Sequence, residues 1–238
     1  MTNRCIKAVF FDFMGTCLDW HTGVVKIFPQ SIEAPIRSEM ALKWRQKYFD
    51  SNSARLQAGQ QPEDIDLTLR RTLQMLLEEY LQYRDLFNEH LIAACVAQWH
   101  SMPAWPEVPR AVQALQNAGY ETFVFANGTT RLQLDLCRSS GLHFDMLFSS
   151  ALLGVYKPAQ ESYRKVLELV KLRPEETVQV AAHANDLGGA RKAGMRTVYV
   201  DRWTDDIVED KEVIRKENEH FLKDMKLLPE VIAEMQID

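Results

Sequence analysis

At 238 residues the chain suits one domain, or one domain carrying an insertion, on a scale of roughly 100–200 residues per domain. With 46% hydrophobic and 26% charged residues it has the composition of a soluble globular protein, which excludes disordered and fibrous classes. A net charge of -5 argues against nucleic acid or an anionic membrane as the principal partner, but leaves room for a locally positive pocket.

Four cysteines, Cys5, Cys17, Cys95 and Cys137, stand at wide spacings with no CxxC pair, so neither zinc nor a disulfide framework is expected. The opening MTNRCIKAVFFDF lacks the apolar core and cleavage site of a signal peptide. No apolar run approaches the ~18 residues of a bilayer span. The expected setting is cytoplasmic, with reduced thiols and no membrane partner.

The first predicted element is the apolar run Cys5 to Phe11, which stops at Asp12 and reads as a buried central strand. Residues 18–100 then hold no convincing strand. Helices are expected over Ser38–Phe49, over Leu86–Trp99, and from the Pro62-Glu63-Asp64 start cluster through Leu81. The proline-bearing segment Met102–Pro106 reads as a return linker.

Beyond it, helix and strand alternate. Val108, Val112 and Leu115 share one helical face, as do Tyr163, Val166, Leu167 and Val170. Strands are expected at Thr122–Ala126, Val178–Ala182 and Thr197–Val200, and more weakly at Met146–Phe148. This alternation predicts an α/β fold, a doubly wound parallel sheet of Rossmann-like type. Its core would comprise residues 1–17 and 101–238, interrupted by a helical cap domain at 18–100. The charged stretch Thr204–Lys226 is expected to be a solvated loop and helix.

Ligands of open parallel sheets bind beyond the carboxyl ends of the strands. Asp12, Asn127 and the group His183-Ala184-Asn185-Asp186 all fall there, and Lys157 precedes Pro158 in a fourth polar segment. Any one of these has an ordinary structural explanation as a helix cap, a turn or a solvated charge. Their shared edge is what points to chemistry.

Asp12-Phe13-Met14-Gly15-Thr16-Cys17-Leu18-Asp19 resembles the DxxxGTxxD opening of the haloacid dehalogenase superfamily. Ala126-Asn127-Gly128, Tyr156-Lys157-Pro158 and Ala182–Leu187 follow in the order of its later motifs, most similar to the L-2-haloacid dehalogenase branch. The resemblance implies that Asp12 is a nucleophile forming an ester that water cleaves. It implies that Thr16 holds the loop and that Lys157 keeps Asp12 ionised. Asp186 would pair with Lys157 or position water, and Asn127 would donate to a leaving halide or oxyanion.

Three departures qualify this. Met14 stands where phosphatases of the superfamily carry a second, proton-donating Asp, and a thioether delivers no proton. Ala126 replaces a Ser, and His183 replaces an Asn. His183 is either a proton donor near neutrality or a structural hydrogen bond. Arg37 is the candidate to bind a substrate carboxylate, and Trp44, with other cap aromatics, to wall the pocket.

The leading expectation is therefore a hydrolase attacking an alkyl electrophile, nominally an L-2-haloacid, without metal or cofactor. The rivals are an acid-catalysed epoxide-opening or rearranging enzyme, a magnesium-dependent phosphatase, and a retired fold used as a binding module. The partner would be a small molecule, and a homodimer is compatible with the sequence.

Overall fold

The computed structural model describes residues 6–60 and 63–235. Cys5, at the head of the first expected strand, and Pro62, in the expected helix-start cluster, lie outside the described residues.

The chain opens with β1 (Ala8–Phe11). Helices α1 (Trp20–Ile27), α2 (Ala34–Gln57), α3 (Ile65–Leu77), α4 (Leu81–Arg84) and α5 (Glu89–Gln98) follow before the sheet resumes. Then come α6 (Val108–Asn117), β2 (Glu121–Ala126), α7 (Thr130–Ser140), β3 (Met146–Ser149), α8 (Ser150–Leu153) and α9 (Gln160–Val170). The chain ends with β4 (Thr177–Ala181), α10 (Ala184–Lys192), β5 (Arg196–Val200), α11 (Lys211–Glu217), β6 (His220–Leu222) and α12 (Leu228–Glu234).

The six strands form one parallel sheet in the order β3-β2-β1-β4-β5-β6, the doubly wound order expected. β1 and β4 are buried on both faces, as the uninterrupted apolar reading requires. The winding reverses at β1, whose neighbours are β2 and β4, and Phe11 pairs with Val124 and Val180. Asp12 therefore emerges at the topological switch point, where such sheets bind ligands.

The helical stretch between β1 and β2 is a connection pinned at its base. Leu18 bridges Ala104, the Asp19 amide donates to the Pro103 carbonyl at 2.9 Å, and the Trp105 amide donates to that of Cys17 at 3.0 Å. Side-chain caps start three of its helices: Asp19 accepts from the Thr22 amide, Asp64 from Asp66 and Asn88 from Leu91, each worth about 1 kcal/mol. Its core is a cluster of indoles, Trp20 stacked on Trp99 at 5.8 Å and Trp44 edge-on to Trp99 at 5.3 Å.

Two expectations about the aromatics and the C-terminal tract need correction. Trp44 does not wall a pocket: it is fully buried, and its Nε1 donates to the Leu69 carbonyl at 3.0 Å. Trp20 and Phe28 are likewise core, whereas Trp203 is largely exposed. The stretch 204–226 is also more than a solvated loop and helix. It contains β6 and starts with Thr204 and Asp205, both buried. Ile214, Asn218 and Met225 are buried as well, and the tract's net polarity hides these inward positions among solvated charges.

Candidate active site

Every polar group expected at the carboxyl edge converges on one cleft. The turn after β1 is shaped by Gly15, whose φ of +88° lies where side chains are strained. A Cβ there would also stand 2.6 Å from the Asp205 carboxylate, so only glycine allows that loop to close in. Arg202 clamps the turn from outside, donating to the Thr16 carbonyl through Nε at 3.2 Å and Nη2 at 3.0 Å.

Asp12 is held by three donors. Lys157 Nζ donates to Oδ1 at 3.0 Å, Thr16 Oγ1 to Oδ2 at 2.7 Å, and His183 Nδ1 stands 3.0 Å from Oδ2. The Ala182 amide donates to Thr16 Oγ1 at 2.9 Å, which fixes the hydroxyl proton toward Asp12. Burial alone would raise the Asp12 pKa. Lys157, His183 and Thr16 outweigh it and hold the carboxyl far below the usual carboxylate range. Oδ2 carries two donors, while among the described residues Oδ1 accepts only from Lys157 and keeps a lone pair directed elsewhere.

Lys157 bridges Asp12 and Asp186, the latter at 2.6 Å. Burial opposes its charge, but the two carboxylates prevail and raise its pKa. Asp186 is fixed by Tyr163 Oη at 2.6 Å and Gln179 Nε2 at 3.1 Å, and its own pKa is raised, chiefly by burial. Gly189 makes the tyrosine's approach possible, since a Cβ there would stand 2.5 Å from the Tyr163 hydroxyl.

Asn127 is engaged by the backbone of Lys157. Its Nδ2 donates to the Lys157 carbonyl at 3.0 Å, and its Oδ1 accepts from the Lys157 amide at 2.9 Å. The side chain thus clamps the lysine's backbone through one N–H and its carbonyl oxygen, and it lines the cleft.

His183 Nε2 lies 3.0 Å from Asp205 Oδ1, opposite its contact with Asp12. Both ring nitrogens face carboxylate oxygens, so both must carry hydrogen, and the ring is an imidazolium. Burial pulls its pKa down, but Asp12 and Asp205 overcome this and raise it to about 10. Asp205 is itself fixed by Trp20 Nε1 at 3.2 Å and Thr204 Oγ1 at 2.7 Å.

The arginine in the cleft is Arg45, not Arg37. α2 begins at Ala34, which puts Arg37 in its first turn, bonded to Gln30 and outside the lining of the cleft. Arg45, two turns on, is only 6% exposed and lies 4.4 Å from the Phe49 ring centroid. Its Nη2 donates to the Met14 carbonyl at 3.4 Å, and its buried Nε has no partner among the described residues. Its guanidinium keeps donors in hand, in the planar fork that matches a carboxylate. Met14 lines the cleft beside Asp12, as expected.

These surroundings do not fit a magnesium ion. Both Asp12 oxygens already face cations, Asp186 is tied to Lys157, and Arg45 takes the Met14 carbonyl.

The sheet thus presents a switch-point aspartate among a lysine, an imidazolium and a buried arginine. Residues 6–194 match the family of haloacid dehalogenase-like hydrolases, and the chain belongs to that family. It is 28% identical over 234 residues to (S)-2-haloacid dehalogenase 1 of Pseudomonas sp. strain CBS-3, covering 97% of this chain and 98% of that one. It is 24% identical over 195 residues to the phosphoglycolate phosphatase of Aquifex aeolicus, covering 81% and 83%. Among solved structures, the L-2-haloacid dehalogenase PA0810 superposes with a TM-score of 0.80 at 28% identity, covering 95% and 99%.

Proposed function

We propose that the protein hydrolyses a carbon–halogen or comparable bond alpha to a carboxylate, nominally in an L-2-haloacid, through an ester on Asp12. The observation that carries this reading is the division of labour on that carboxylate. Oδ2 is held by Thr16 and His183, while Oδ1 has a free lone pair, steered by Lys157. The helical segment 18–100 acts as the cap over a core of residues 1–17 and 101–238.

In the first step Arg45 holds the substrate carboxylate and Oδ1 attacks the alpha carbon. The carbon–halogen pair departs with the halide, so no proton donor is required and Met14 is no handicap. In the second step water adds to Cγ, and the Cγ–Oδ2 π pair moves onto Oδ2. The Thr16 and His183 donors, at 2.7 and 3.0 Å, already stand where that oxyanion forms. Collapse breaks the Cγ–Oδ1 bond and expels the 2-hydroxy acid. One water is consumed, and one proton and one halide are released.

Single turnover in heavy-oxygen water tests the route. Label from water enters the Asp12 carboxylate, and the first-turnover product carries unlabelled oxygen. Labelled product with an unlabelled protein overturns it.

A second reading has its own observation. His183 is a preformed acid beside Asp12, suited to protonating the oxygen of an opening epoxide. Turnover of an epoxy acid, with no halide released from 2-bromopropionate, would favour it.

A further inference from the structure

We infer that the substrate is a 2-substituted carboxylic acid bearing a long apolar chain, with its head between Arg45 and Asp12 and its tail running along α2 toward the exposed aliphatic side chains of the cleft. This rests on the reading of Asp12 and Arg45 above and adds the class of molecule they act on.

The cleft encloses about 700 Å³, within the range of roughly 300–1,000 Å³ that holds drug-sized ligands. A three-carbon haloacid would occupy a small corner of it. One face of α2 lines the cleft, with Arg45, Phe49, Ser53 and Leu56 in helical succession. At 1.5 Å per residue, Arg45 and Leu56 lie roughly 16 Å apart along the axis, the length of an extended chain of about a dozen carbons. Opposite stand Leu132 and Leu136 of α7.

Where the cleft opens to solvent, three aliphatic side chains stand among polar ones such as Gln57 and Glu209. Leu56 is 42% exposed, Ile207 58% and Val208 92%. These positions are held in place rather than drifting. Asp205 is bound to His183, and Asp206 Oδ2 accepts from the Ala184 amide at 2.6 Å. Asp206 also adopts a φ of +50°, a conformation a non-glycine residue seldom takes, immediately before the exposed pair. A positive-φ turn anchored to the active site therefore presents Ile207 and Val208 to the cleft. Aliphatic side chains gathered on one cleft gain free energy when an apolar chain covers them.

The test is a series of (S)-2-bromo acids from three to twelve carbons, assayed below their micelle concentrations. Burying one methylene is worth about fourfold in affinity. The expected result is a rise in kcat/KM of about fourfold per carbon until the chain reaches the mouth, then a plateau. Values that stay level or fall beyond three carbons overturn the inference.

A binding arm separates it from the chemistry. Calorimetric affinities of the unmodified protein for 2-hydroxy acids should climb with chain length even if no bromo acid is turned over. Such a result would sink the ester route and leave the chamber standing, whereas length-independent affinity would sink the chamber. Val208→Asp, at a solvent-facing position, should lower the decanoate-to-propionate ratio of kcat/KM at least tenfold. An unchanged ratio also overturns the proposal.

Discussion

His183 Nε2 stands 3.0 Å from Oδ1 of Asp205, while Nδ1 of the same ring stands 3.0 Å from Asp12. The two carboxylates fix the ring's plane and its charge, so the imidazolium delivers a constant N–H to Asp12 Oδ2. In the proposed reaction this donor matters most when Oδ2 becomes an oxyanion. Removing one such donor typically costs about 10²–10³ in rate. His183→Ala should therefore slow ester breakdown by that factor while sparing halide release in the first turnover. The alkylated protein then accumulates and is weighed by intact-mass spectrometry. A loss of first-turnover halide equal to the loss of overall rate would show that His183 serves the first step instead.

The same ring makes a pH prediction. Its pKa moves from an ordinary 6.5 up to about 10 on folding. Between those values the folded protein holds a proton that the unfolded chain has released, so stability falls as pH rises. The contribution of His183 is complete below 6.5, shrinks through the window and is gone above about 10. Asp12 and Asp205 shift downward, so their contributions are present above the ordinary carboxylate range and are lost on acidification. Thermal melts of the parent and of His183→Asn should thus converge between pH 6.5 and 10. A gap that stays constant across this window would mean that the ring is neutral in the folded state.

Lys157 lies between two buried acids, at 3.0 Å from Asp12 and 2.6 Å from Asp186. From sequence, Lys157→Ala would be expected to lose turnover and keep its fold. The burial of all three groups changes the second half of that expectation. Deleting one partner of a buried ion cluster leaves uncompensated charge, at a cost of about 3–5 kcal/mol. Lys157→Ala should lose several orders in turnover and also melt well below the parent. Asp186→Asn in the same background should restore part of the melting temperature and none of the activity. If the double variant melts no higher than the single one, the charge imbalance is not the cause.

Much of this site was legible because its members sit where strands end. An apolar run that stops at a polar residue locates the carboxyl edge of a parallel sheet, and Asp12, Asn127, His183 and Asp186 were found in this way. Arg45 was not singled out, because Arg37 lies near the place where the resemblance puts a carboxylate-binding residue of the cap. The spacing of Arg45, Phe49 and Leu56 was the available signal, since it places a charge on an otherwise apolar stripe. Asp205 carries no such mark. It lies in a tract dense with solvated acids, and only the chain's return over the sheet edge brings it to Trp20, 185 positions away. Asn127 falls where its strand end puts it, but sequence locates a side chain without revealing that the backbone of Lys157 bonds both its N–H and its oxygen.

Arg45 predicts a trade between stability and binding. Its buried guanidinium is desolvated, which lowers its pKa, and its Nε lacks a partner. Replacing sparsely bonded buried charge with an apolar side chain of similar volume is often stabilising by about 1–4 kcal/mol. Arg45→Met should raise the melting temperature and weaken binding of a 2-hydroxy acid at least tenfold. Arg45→Lys should not restore affinity, because an ammonium lacks the guanidinium's paired donors. A destabilised Arg45→Met that binds normally would assign the arginine to packing against Phe49 and Trp20.

Gly15 links the turn after β1 to the far end of the chain. Gly15→Ala forces a side chain into a positive-φ conformation, at a cost of about 1–2 kcal/mol. It also drives Cβ to within 2.6 Å of the Asp205 carboxylate unless that loop retreats. If the loop retreats, His183 loses the partner that keeps it charged. Gly15→Ala should therefore lower the His183 pKa toward its ordinary value, which NMR titration of the imidazole reads directly. It should also slow ester breakdown more than halide release, reproducing His183→Ala. Asp205→Ser removes the obstructing carboxylate and should shift the His183 pKa in the same direction without the strained turn. A Gly15→Ala protein that is merely less stable, with its imidazole still titrating near 10, would show that the loop and the turn are not coupled through Asp205.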